Sequence, residues 1–92
     1  MSWCVYIILC SDHTLYTGIS NNVIKRFNDH LTQKGAKYFR SRQPKQLVYL
    51  EKVDCRSLAS KREAAIKKLA RPAKLQLISS ASNKIDEFLK QP

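Results

Sequence analysis

Tyr6 and Tyr16 stand ten residues apart, Arg26 and His30 follow, and far downstream a lone acid, Glu63, sits among Lys61, Arg62, Lys67 and Lys68. These side-chain types can together hydrolyse a phosphodiester. That reaction needs a water held in line, a destination for its proton, and positive charge on the developing phosphorane oxygens. Tyrosine orients or deprotonates water, arginine grips phosphate through two parallel hydrogen bonds, and glutamate anchors a hard divalent cation.

Each residue also has a plainer explanation. Strand tyrosines commonly pack against cross-strand neighbours. Gly18 can relieve crowding in a strand, or let a phosphate approach the backbone. Arg26 can be part of a solvated helix face, and His30 can bond the backbone. Glu63 can pair with Lys67 one turn on, a surface bridge worth roughly 0.3–0.5 kcal/mol. The functional case rests on all of them occurring together.

Charge points to the partner. The 92 residues carry 17 Lys+Arg against 7 Asp+Glu, a formal net charge of +10. So basic a surface favours polyanions, nucleic acids first. Lys34, Lys37, Arg40, Arg42 and Lys45 form an acid-free run with Tyr38 and Phe39 interleaved. That composition suits a surface tracking a nucleic-acid strand with rings free to stack on bases, and equally suits a solvated loop. The expected partner is a nucleic acid, with branched or single-stranded DNA and RNA all open and a separate targeting protein as a further partner. No apolar stretch is long enough to span a membrane, so no membrane partner is expected. Cys4, Cys10 and Cys55 are odd in number and form no CxxC pair, and no signal peptide is evident. Reduced, mostly buried thiols in a cytoplasmic protein follow.

The elements that position these residues can be read from periodicity. The run from Trp3 to Cys10 is apolar on both pleat faces and predicts a buried strand. Ser11-Asp12-His13-Thr14 has turn chemistry, and Leu15 to Ser20 returns as a second strand. Ser20, Asn21 or Asn22 caps a helix with Val23, Ile24, Phe27 and Leu31 on one stripe, ended near Gly35. A third strand spans Gln46 to Val53. A long helix runs from Asp54, Cys55 or Ser57 to about Arg71, with an apolar arc of Leu58, Ala59, Ala65, Ile66, Leu69 and Ala70. Arg62 falls awkwardly inside that arc. Pro72 opens another helix, and a short one follows a Ser82/Asn83 cap. The result is one α/β (α+β) domain over residues 1–92: a three-stranded antiparallel sheet flanked by helices, in the order β-β-α-β-α-α.

Parity constrains the hairpin. Tyr6 and Tyr16 share a face only if the loop has three or five residues, or if a bulge lies near Asp12-His13, because a one-residue slip reverses every side chain.

The segments Cys4-Val5-Tyr6 and Tyr16-Thr17-Gly18 resemble the two signatures of the GIY-YIG nuclease family, with Arg26, His30 and Glu63 at matching positions. The resemblance runs from about Trp3 to Ile78 and is nearest to small stand-alone bacterial members of unassigned role. It implies single-metal endonucleolytic cleavage of DNA, with Mg²⁺ or Mn²⁺ and little inherent sequence specificity. Tyr6 matches the water-activating tyrosine, Tyr16 the second active-site tyrosine, and Arg26 the transition-state arginine. His30 matches a proton-handling position and Glu63 the metal ligand. Cys4 and Thr17 depart from the signatures, and the family's later asparagine has no assigned equivalent. The competing reading is a non-catalytic nucleic-acid-binding module on the same fold. Under either, Gly18, Lys34, Lys37, Tyr38, Arg40, Arg42, Lys67 and Lys68 are the expected nucleic-acid contacts.

Overall fold

A computed structural model describes residues 2–32 and 42–89. The expected segment Lys34, Lys37, Tyr38, Arg40, and the helix end at Gly35, lie outside the described residues. Arg42 and Lys45 lie within them.

Three strands form one antiparallel sheet, β1 (Trp3–Cys10), β2 (Leu15–Ser20) and β3 (Pro44–Val53), in the order β2-β1-β3. β1 is central, which is why its sequence is apolar on both faces: Val5, Tyr6, Ile7 and Ile8 are almost wholly buried. Full burial of such side chains contributes roughly 1.5–3 kcal/mol each. Pro44 opens β3, a position where the missing N–H costs little. β3 starts two residues earlier than the sequence suggests.

The hairpin closes with a three-residue loop. Cys10 N–H donates to Thr14 O and His13 N–H to Cys10 O, both at 2.9 Å, and His13 takes φ 68°. A left-handed third residue is the usual way such a loop reverses the chain. The resulting register pairs Ile8 with Tyr16 and Tyr6 with Gly18, so both tyrosines face one side as the parity argument requires. The loop is held from outside: Asp12 accepts from Thr14 Oγ1 and from Arg42 Nε, each at 2.6 Å, and Arg71 Nη1 reaches His13 O at 2.6 Å.

Helix α1 (Val23–Leu31) begins at Asn22, whose Oδ1 accepts Lys25 N–H at 3.2 Å. Its buried line is not the one periodicity suggests. Val23 and His30 are buried and Phe27 half-buried, while Ile24 and Leu31 are 63% and 50% exposed. The helix is rotated so that a histidine, not a leucine, enters the core.

Helix α2 (Arg56–Lys67) is shorter than expected, and α3 (Arg71–Ile78) follows with Pro72 in its first turn. On α2 only Ala59 and Ile66 are buried; Leu58 and Ala65 are exposed, as are Leu69 and Ala70 beyond its end. Arg62 lies between the buried pair and packs inward. Its Nε donates to both Glu51 oxygens at 3.0 and 3.1 Å, and the buried Tyr49 hydroxyl donates to Glu51 Oε1 at 2.5 Å. The carboxylate on β3 accounts for a charged residue on the inner face. Burial and the neighbouring Glu51 push Tyr49 up to about 12.

Helix α4 (Ile85–Leu89) is the short helix expected after the Ser82/Asn83 cap. Asn83 joins it to the sheet: its Oδ1 accepts Leu50 N–H and Ile85 N–H, and its Nδ2 donates to Val48 O and Ile78 O. The helices divide between the faces. Tyr6, Ile8, Val23 and Leu50 pack with Phe27 and Phe88 on one side; Val5, Ile7, Tyr49, Ala59 and Ile66 pack with Leu77 and Ile78 on the other.

Candidate active site

Tyr6 sits in the central strand, yet its hydroxyl reaches the sheet edge because the cross-strand partner is glycine. A Cβ built on Gly18 would lie 2.5 Å from the Tyr6 hydroxyl oxygen, 2.7 Å from Cζ and 3.1 Å from Tyr16 Cε2. The tyrosine ring crosses the space a side chain would fill. Gly18 therefore has an intramolecular reason to be glycine, whether or not phosphate approaches it.

The phenol emerges into an open cleft of about 340 Å³ at the β2 edge. Its walls include Tyr6, Tyr16 and Gly18 from the hairpin, Arg26 from α1, and Arg56 and Glu63 from α2, with Trp3 beside them. Four residues singled out from sequence, Tyr6, Tyr16, Arg26 and Glu63, thus converge from three separate parts of the chain. The ring centroids of Tyr6 and Tyr16 are 6.5 Å apart.

His30 stands behind this group rather than in it. It is fully buried, its Nε2 is 3.0 Å from the Tyr6 hydroxyl, and its ring meets Tyr16 edge-on at 5.4 Å. Burial, then the Arg26 charge, brings its pKa down to about 4. At neutral pH the imidazole is uncharged. Burial also raises Tyr6, aided by Tyr16, against a hydrogen bond and charge from Arg26 that lower it. Tyr16 is raised for the same leading reason. Both phenols therefore keep their protons at neutral pH, and a resting phenolate does not form.

Glu63 is mostly buried and pairs with Lys67 at 3.3 Å. That bridge is the one expected from an i, i+4 spacing, and at roughly 0.3–0.5 kcal/mol it is weak enough for a divalent cation to displace. Among the described residues no three His, Cys, Asp or Glu side chains gather to enclose a metal. The donor set fits a cation bound through one carboxylate, with phosphate oxygens and water completing its shell, as Mg²⁺ commonly is. Lys68 is exposed near the end of α2. Arg42 lies at the hairpin tip on Asp12, outside the cleft lining.

Arg56 and its neighbour Trp3 are cleft residues that sequence reading misses. Arg56 places its guanidinium carbon 5.6 Å from the centroid of the Trp3 ring. The available signal was spacing: Arg56 precedes Glu63 by seven residues, two helical turns, so both emerge on one face of α2.

A small α+β domain with two tyrosines, an arginine and a glutamate around an edge cleft has a counterpart among known protein families. Residues 2–76 match the model of the GIY-YIG catalytic domain, and the chain belongs to that family, a family of nucleases. It is 57% identical over 75 residues to a UPF0213 protein of Syntrophus aciditrophicus, covering 80% of this chain and 86% of that one. It is 50% identical over 84 residues to another from Desulfotalea psychrophila, covering 90% and 76%. The fold resembles the solution structure of a UPF0213 protein from Bacillus halodurans, with TM-score 0.59, 36% identity, and coverage of 98% of this chain and 96% of that one.

Proposed function

We propose that the protein is a divalent-metal-dependent endonuclease that hydrolyses DNA phosphodiester bonds with little inherent sequence preference. The observation that carries this reading is the meeting of Tyr6, Tyr16, Arg26 and Glu63 in one cleft. Glu63 would hold a single Mg²⁺ or Mn²⁺, which supplies positive charge to the scissile phosphate. Arg26 grips the non-bridging oxygens and stabilises the charge that builds on them.

The proton path follows from the Tyr6–His30 pair. Neutral His30 accepts the Tyr6 O–H at Nε2, leaving the phenol oxygen to accept a hydrogen bond from the attacking water. As that water is deprotonated, Tyr6 takes its proton and passes its own to His30. Energy favours this over a free phenolate. Protonating an imidazole of pKa about 4 at pH 7 costs about 4 kcal/mol. Ionising an ordinary phenol, pKa about 10, costs about the same, and burial of Tyr6 adds to it. Tyr16 packs against His30 and borders the cleft, fixing the water from its other side.

The test is a panel of linear, nicked, branched and single-stranded DNA, with RNA alongside, incubated with Mg²⁺, Mn²⁺ or EDTA. Cleavage that needs metal and falls by about 10²-fold or more in Tyr6→Phe supports the reading. The Glu63–Lys67 bridge favours a second reading, a nucleic-acid binder without turnover, which predicts binding in every metal and cleavage in none.

A further inference from the structure

Arg56 is charge beyond what a single phosphate requires. Arg26 already supplies a guanidinium to the cleft, yet α2 brings a second one to the same wall. Among the described residues Arg56 has no hydrogen-bond or ion-pair partner; what holds it is the face of Trp3. Stacking on an indole orders a guanidinium while leaving its N–H fork unused. The lining contains one acid, Glu63, two turns further along the same helix, or about 10 Å. An exposed arginine on an ordinary solvated face would show no such mooring and no shared cavity.

We propose that Arg56, steadied by Trp3, binds the phosphate adjoining the scissile one, so that the site takes a polynucleotide strand rather than an isolated phosphodiester. This rests on the phosphodiesterase reading above and adds to it a second phosphate-binding residue. Arg26 and the Glu63 carboxylate serve the reacting phosphate, and Arg56 sets where the neighbouring nucleotide lies. It is a substrate-binding residue with no part in the proton path. Its grip is bidentate and charge-assisted, the geometry in which arginine outperforms lysine on phosphate.

The experiment uses the full chain and a short single-stranded DNA with Ca²⁺ in place of Mg²⁺, read by fluorescence anisotropy. The oligonucleotide is a trinucleotide, too short to offer more than one register of two neighbouring phosphates, and copies carry an uncharged methylphosphonate at one linkage or the other. Wild type should show two neighbouring linkages whose neutralisation weakens binding. Arg56→Gln should bind the unmodified strand about fivefold more weakly and lose one of the two sensitivities, with the salt slope reduced by about one. Trp3→Leu, which keeps the guanidinium but removes its support, should fall between them. Hydrolysis of bis(p-nitrophenyl) phosphate by wild type, an ester with no adjoining phosphate, reports on the catalytic centre separately from Arg56. Failure of wild type to hydrolyse that ester counts against the phosphodiesterase reading alone, because the binding scan still decides Arg56. An Arg56→Gln scan matching that of wild type overturns the proposal.

Discussion

The Tyr6 hydroxyl and His30 Nε2 meet at 3.0 Å inside the fold, and each residue is almost completely shielded from water. The pair links the cleft to the core, so its protonation couples chemistry to stability. An unfolded imidazole takes its proton near 6.5, whereas the folded one does so only near 4. Between those values the unfolded chain binds more protons. Stability is therefore intact above about pH 6.5 and declines as pH falls toward 4, by about 3 kcal/mol for a shift of this size. Urea melts of wild type and His30→Gln at pH 7 and pH 5 should show a steep loss in the first and a shallower one in the second.

Gly18→Ala tests the route by which Tyr6 reaches the edge. Its Cβ would meet the phenol at 2.5–2.7 Å, and the backbone there has no positive φ to strain. The ring must move, at about 1–3 kcal/mol as for other overpacked sites. Thermal melting should register that loss, and cleavage should fall well beyond it because the hydroxyl leaves the cleft.

Asn83→Ala addresses the sheet's other flank. Four hydrogen bonds, to the backbone of Val48, Leu50, Ile78 and Ile85, end on this one amide. Their loss should cost about 2–3 kcal/mol in denaturant melts, since the strand groups are left poorly satisfied. The residue is remote from the cleft lining, so the metal dependence of cleavage should be unchanged. The expected family asparagine had no assigned counterpart, and the bonding of Asn83 gives it a structural role.

What sequence made legible was whatever depends on local period and short-range parity. Trp3–Cys10 and Leu15–Ser20 are strands at the expected bounds, and the tyrosine parity required a three- or five-residue loop or a bulge, of which the three-residue loop forms. Helix rotation was less legible, because it depends on partners far along the chain. Arg62 turns inward for Glu51, and His30 displaces Leu31 from the core for Tyr6. Arg56 escaped for a related reason. Among so many basic residues, only the tertiary placement of Trp3 sets it apart.

Glu63 offers the most direct test of the central claim, that these side chains form one phosphodiesterase centre. Single-turnover DNA cleavage should be measured across a Mg²⁺ titration for wild type and Glu63→Gln, with melting confirming that both are folded. The account predicts metal-dependent cleavage by wild type and a loss of at least about 10²-fold in the variant, only partly recovered by raising Mg²⁺. Equal rates in the two proteins, or a wild-type rate indifferent to EDTA, would contradict it.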